Sequence, residues 1–127
     1  MTRRANCCCG RCSIEVEPTV NAICHCDNCK KRTGSAFGWS SYFRDTQIVH
    51  KAGVLEVYPV DGANLQQRWF CANCGTTLFW KAAAMPEQTG IAGGCFVDRP
   101  LDAPSATVSN AGRCLWLHLP VTWRTSL

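Results

Sequence analysis

The feature that most constrains this chain is Cys71-x-x-Cys74-Gly75. Two residues between thiolates let one metal ion accept both while the backbone folds into a knuckle, and Gly75 lets the chain leave that turn with φ > 0. A knuckle supplies two ligands, whereas a structural zinc takes four. Cys7-x-Cys9 is the natural partner pair. On an extended segment alternate side chains share a face, so Cys7 and Cys9 point together while Cys8 points away and packs. A bulge there would let Cys8 replace one of the pair.

The group Cys24-His25-Cys26-Asp27-Asn28-Cys29 differs in number, with three thiols in six residues. Asp27 is expected to cap a short helix over Asn28 to Thr33 that stops at Gly34. Helix N-terminal amides and a divalent cation both favour thiolate, and three protein ligands leave a fourth position for water or substrate. The alternative is a closed site, with His25, His50, Cys12, Cys95 or Cys114 as the fourth ligand. An extended segment turns His25 away from its flanking cysteines, which makes it a supporting or packing residue.

Composition decides between metal and disulfide. The chain has 11 cysteines among 127 residues, an odd number that leaves a thiol over in any all-disulfide scheme. Arg3 and Arg4 are followed by Ala5, Asn6 and cysteines rather than an apolar stretch, so neither a secretory nor a twin-arginine signal is read. The expectation is a cytoplasmic protein with reduced, metal-binding thiols. No apolar run approaches the roughly 20 residues of a membrane helix. Seven thiolates and two divalent zinc ions reduce the formal charge of +4 to about +1, which argues against nucleic acid as a partner. The one basic run, Lys30-Lys31-Arg32, reads either as a solvated turn or as a local anion contact beside the three-cysteine site.

Period-2 alternation between turn signals predicts short strands at Cys12 to Glu17, Val20 to Cys24, Phe37 to Phe43, Val54 to Val60, Gln67 to Cys71, Thr77 to Lys81, Gly90 to Gly94 and Leu115 to Val121. A second helical piece is expected at Lys81 to Met85 and a surface loop at Asp98 to Pro104. Nothing divides residues 1–127, so one mostly β domain is predicted, with frayed ends at Met1 to Asn6 and Arg124 to Leu127. Phe37, Trp39, Tyr42 and Phe43 read as core or as the wall of an apolar pocket.

Cys7-x-Cys9-Gly10, Cys24-His25-Cys26-x-x-Cys29-Lys30-Lys31, Gly34-Ser35-Ala36-Phe37-Gly38, Phe70-Cys71-x-x-Cys74-Gly75 and Leu78-Phe79-Trp80 stand here in one order. In that order they resemble the glutathione-dependent formaldehyde-activating enzymes, a family that includes centromere protein V-like proteins. The resemblance covers about residues 6 to 117. It implies a β-tent of short antiparallel sheets with two zinc ions, a structural one on Cys7, Cys9, Cys71 and Cys74 and a catalytic one on Cys24, Cys26 and Cys29. The implied reaction joins glutathione and formaldehyde as S-(hydroxymethyl)glutathione, a carbon–sulfur lyase reaction run in reverse, with a small-molecule thiol and aldehyde as partners. Cys95-Phe96-Val97-Asp98 stands where relatives often carry Thr-Leu-Asp-Asp. Carbonyl addition also needs a proton source, for which His25 and Asp98 are candidates. Two other function classes compete: a non-catalytic zinc module that binds a protein partner, and a thiol or metal sensor using the uncommitted cysteines Cys8, Cys12, Cys95 and Cys114.

Overall fold

The computed structural model describes residues 2–17, 21–61 and 65–127. Its strands are β1 (Arg3–Asn6), β2 (Ser13–Val16), β3 (Asn21–Cys24), β4 (Gly38–Arg44), β5 (Ile48–Ala52), β6 (Leu55–Val60), β7 (Gln66–Cys71), β8 (Thr77–Lys81), β9 (Gln88–Ala92), β10 (Ala106–Val108) and β11 (Arg124–Thr125). One α-helix, α1 (Asp27–Thr33), follows β3, and short 3-10 turns fill Asp45–Gln47, Gly93–Cys95 and Asn110–Gly112. The fold is therefore mostly β, as the alternation predicts.

The strands form two open sheets. β1, β2 and β5 make the smaller, in that order, and the larger runs β11-β10-β3-β4-β9-β8-β7-β6. Pairing is antiparallel except at β10, which lies parallel to both β3 and β11. Ala5, Ile14 and Val16 of the small sheet pack in one apolar cluster with Phe43, Leu78, Phe79 and Ile91 of the large one, closed by Phe96 and Leu101. Burying such side chains is worth about 1.5–3 kcal/mol each for the larger ones, so this cluster is the main apolar source of stability.

Three adjacent strands carry an arrangement that matters below. Gly90 of β9 sits between Tyr42 of β4 and Trp80 of β8. A Cβ at Gly90 would stand 2.1 Å from the Trp80 indole nitrogen, so only glycine lets the indole lie across β9. The Trp80 Nε1–H thereby reaches the Tyr42 hydroxyl at 3.2 Å, and Trp80 is almost fully buried.

Several expectations are corrected. Leu115 to Val121 forms no strand: Leu115 and Val121 are almost fully exposed and the segment runs through turns. β10 is already paired on both sides, so that alternating segment has no edge to join there. Lys81 to Met85 ends a strand and turns, without a helix. Both ends are paired where fraying is predicted: β1 pairs with β2 through Arg3 to Asn6, and Arg124 and Thr125 pair beside Ala106 and Thr107, while Met1 lies outside the described residues. The helix cap is Cys26 rather than Asp27, because the Cys26 sulfur accepts the Cys29 N–H at 3.3 Å. α1 does stop at Gly34, whose N–H donates to the Lys30 carbonyl at 2.7 Å. Val20, placed in a strand from sequence, lies outside the described residues.

Candidate functional site

The first cysteine cluster is built by two hairpin loops from the two sheets. The β1–β2 loop carries Cys7 and Cys9, and the β7–β8 loop carries Cys74 just after Cys71 ends β7. Cys7 and Cys9 converge through a turn rather than the extended segment expected, for the Gly10 N–H closes onto the Cys7 carbonyl at 3.0 Å. The Gly75 N–H does the same to Cys71 at 2.9 Å, with φ of 78° at Gly75 as the knuckle requires. Cys8 stands outside the cluster but is exposed rather than packed, while its N–H donates across the loops to Thr76 Oγ1 at 3.0 Å.

The Cys7, Cys9, Cys71 and Cys74 sulfurs all lie within 4.8 Å of one another. Cys7 and Cys9 are 3.6 Å apart and Cys9 and Cys71 3.7 Å. A tetrahedron with zinc–sulfur bonds of about 2.3 Å has sulfur–sulfur edges of about 3.8 Å, so the residues fit zinc. Backbone donors already face the sulfurs: Cys12 N–H to Cys7 at 3.2 Å, and Asn73 and Cys74 N–H to Cys71 at 3.4 Å each. Hydrogen bonding to Thr76 draws the Cys74 thiol down to about 5, whereas burial raises Cys7.

The second cluster is local. Cys24 ends β3, Cys26 caps α1 and Cys29 lies within it, and their sulfurs are again within 4.8 Å of one another. No fourth His, Cys, Asp or Glu joins this group at that range among the described residues. A hydrogen bond from Cys29 pulls Cys24 down to about 5, while donating that bond, together with burial, pushes Cys29 far above the thiol range. Cys24 and Cys29 thus keep a proton between them, because two thiolates this close repel unless a cation sits between them. That donor set also fits zinc, with one ligand fewer.

His25 is fully buried. Its backbone N–H donates to the Val108 carbonyl at 3.1 Å, its Nε2 bonds Thr107 Oγ1 at 2.7 Å, and its ring meets Phe37 edge-on at 6.0 Å between centroids. β10 therefore grips the segment between Cys24 and Cys26. Asp98 lies elsewhere, on a cavity of about 390 Å³ with Cys7, Cys8 and Cys95. His50 is exposed on β5, Cys12 is buried with its thiol donating to the Val54 carbonyl at 3.3 Å, and neither they nor Cys95 and Cys114 join the three sulfurs.

A cavity of about 460 Å³ lies between α1 with the start of β4 and the Cys71–Cys74 knuckle, lined by Arg32, Phe37, Trp39, Thr76 and Cys95 among others. Of the groups that surround Cys29, the sequence offered Arg32 as a local anion contact and Tyr42 as a pocket wall, but not Arg68 or Trp80. The Arg32 guanidinium lies over the Trp80 ring, 4.0 Å from its centroid, and Arg68 of β7 donates to the Asn28 carbonyl at 3.1 Å. Burial raises the Tyr42 hydroxyl, and the Cys29 and Cys24 sulfurs raise it further. The signal available was Trp80 and Gly90 at paired positions, which becomes readable only once β8 and β9 are known to be neighbours.

A mostly β protein whose thiols gather into one group of four and one of three belongs to the class of cysteine-organised zinc-type folds. More narrowly, the chain belongs to the glutathione-dependent formaldehyde-activating enzyme family, which it matches over residues 2–110. Among solved structures, the crystal structure of a Rhodobacter sphaeroides protein is similar in fold, with a TM-score of 0.59 and 24% identity over 72% of this chain and 85% of that one. Comparison with curated proteins gives no match. Among the described residues no helix is long and apolar enough to cross a membrane.

Proposed function

We propose that this chain is a zinc-dependent enzyme of the carbon–sulfur lyase type that, in the synthetic direction, joins glutathione or a similar thiol to formaldehyde or another small aldehyde. The observation that carries the reading is the inequality of the clusters, four sulfurs in one and three in the other. Cys7, Cys9, Cys71 and Cys74 would hold a structural zinc, and Cys24, Cys26 and Cys29 a catalytic one. Zinc held by Cys24, Cys26 and Cys29 would supply Lewis acidity that lowers the pKa of an incoming thiol.

The chain's own groups do the rest. The reaction breaks an S–H bond and the carbonyl π bond and forms one C–S and one O–H bond, so a proton moves from sulfur to oxygen. We assign its delivery to Tyr42 rather than to His25 or Asp98. The Tyr42 hydroxyl stays protonated at neutral pH and feels the sulfurs of Cys29 and Cys24. His25 is committed to Thr107 and fixes the Cys24–Cys26 segment, and Asp98 lies by the other cluster. Phe37 and Trp39 give the neighbouring cavity apolar walls that limit water.

The test is exchange NMR of glutathione with formaldehyde in the presence of zinc-loaded protein. Acceleration of adduct formation over the uncatalysed background supports the reading. Thiol binding without acceleration overturns it in favour of a sensor or carrier.

A further inference from the structure

We infer that Arg32 is the specificity-determining residue of this site, its guanidinium receiving a carboxylate of the thiol substrate at the wall of the 460 Å³ cavity. The inference rests on the thiol reading of the three-cysteine cluster and names the substrate class more narrowly, as an acidic thiol.

The position of the guanidinium comes first. Arg32 follows Cys29 by three residues, so the two share a face of α1. Both converge on Gly38: a Cβ there would stand 2.6 Å from Arg32 Nη2, 2.9 Å from Cys29 Cβ and 3.4 Å from the Cys29 sulfur. Glycine at 38 therefore clears one space for the guanidinium and the thiol together. The other side of the guanidinium rests on Trp80, itself fixed through its bond to Tyr42 across Gly90. The charge is thus held in place beside the sulfurs rather than free in solvent.

Its bonding comes second. Arg32 Nη2 is buried with no hydrogen-bond partner among the described residues. A buried guanidinium donor without an acceptor is costly, and the planar fork is shaped to bind a carboxylate through two parallel bonds. The other arginine near the cluster is already engaged, for Arg68 donates to Asn28 and Gln66. The rest of the basic run is also accounted for: Lys30 donates to the Gly112 carbonyl and Lys31 is exposed. Among the described residues no aspartate or glutamate lines the cavity, whose wall includes Thr33, Ser35 and Thr76. Its volume is in the range of about 300–1,000 Å³ usual for small-molecule sites. A site with one guanidinium donor left without an acceptor and no acid on its wall selects an anionic ligand over its neutral counterpart.

The experiment is calorimetric titration of the zinc-loaded protein with glutathione, its diethyl ester and S-methylglutathione. It uses the wild type, Arg32→Lys and Arg32→Gln, with zinc content measured on each. The wild type is expected to bind the free acid at least about tenfold more tightly than the ester. Arg32→Gln should bring the two within about twofold by weakening the acid alone, with zinc content unchanged, while Arg32→Lys retains part of the preference. Equal binding of acid and ester by the wild type overturns the inference, as does an undiminished preference in Arg32→Gln. Loss of zinc with equal weakening of both ligands overturns it too, because Arg32 would then serve the thiolates. Should Arg32→Gln not fold, Arg32→Lys and the wild-type ligand series decide. S-methylglutathione separates the two readings: if it binds as tightly as glutathione, thiol ligation fails while the acid–ester comparison still reads Arg32.

Discussion

The two cysteine clusters use the same atom type within the same radius, yet they are opposite in how the chain builds them. The three-cysteine group comes from six consecutive residues at one β3–α1 junction, whereas the four-cysteine group joins loops distant in sequence, with Cys9 and Cys71 in contact across 62 residues of chain. A metal in the four-cysteine group would tie the small sheet to the large one. In the three-cysteine group it would fix a junction that the backbone already defines through the Cys26 cap and the His25 contacts. Closing a long loop restrains the unfolded chain far more than closing a short one. The difference supports the proposed division, in which the four-cysteine group would serve the fold and the three-cysteine group would be left to serve chemistry.

The comparison breaks most visibly in the cysteines themselves. Structural zinc contributes on the order of 10–16 kcal/mol of apparent binding energy against a domain stability of about 5–15 kcal/mol, so Cys71→Ser should leave the chain unfolded or aggregated. Cys29→Ser should fold and lose only the second metal. Thermal melts with metal analysis check this, and a more damaging Cys29→Ser would reverse the roles. Next in size is metal content. Protein purified without chelator should carry close to two zinc per chain, and a mild chelator should take the three-cysteine metal first, because fewer ligands hold it.

A smaller effect is expected in the reaction. Tyr42→Phe keeps the ring on Trp80 but removes the proton donor, so adduct formation should slow by about 10²-fold with both zinc ions retained. An unchanged rate in single-turnover measurements would remove Tyr42 from the proton path. Thiol binding should also release a proton, visible as a dependence of calorimetric enthalpy on buffer ionisation, and the S-methylated analogue should release none.

The smallest effect sets the scale for the others. Asp45, at the far end of β4, accepts from Lys81 at 2.5 Å and from Thr89 at 2.7 Å, and these bonds hold its carboxyl below the usual range. A depressed carboxylate stabilises the fold above its unfolded pKa and loses that contribution as the pH falls through the folded value, so the loss lies below about pH 4. The pair is half exposed, and Asp45→Asn should cost less than about 1 kcal/mol at neutral pH in denaturant melts, with neither metal disturbed.

Much of this is legible in the order of the amino acids alone. Both cysteine groups, the stop of α1 at Gly34 and the strands β2, β4 and β6 to β9 follow from spacing and alternation, because thiol spacing and side-chain period are local properties. What escapes such reading is non-local. β10 lies beside β3, from a distant part of the chain, while Leu115 to Val121 alternates correctly and pairs with no strand. Asp27 has the right chemistry for a cap, yet the Cys26 sulfur takes the Cys29 amide first.

The sequence by itself determined the number and grouping of the thiols, and with them the four-to-three inequality from which the function is argued. Only the tertiary structure decided what stands around the smaller group. Tyr42, Gly90 and Trp80 meet because β4, β9 and β8 lie side by side, and Arg32 is placed on Trp80 because α1 packs over that row. Ligand spacing is set by the few bonds between neighbours in the chain. A pocket is set by which strands pair, and pairing depends on the burial and hydrogen bonding of the whole molecule at once.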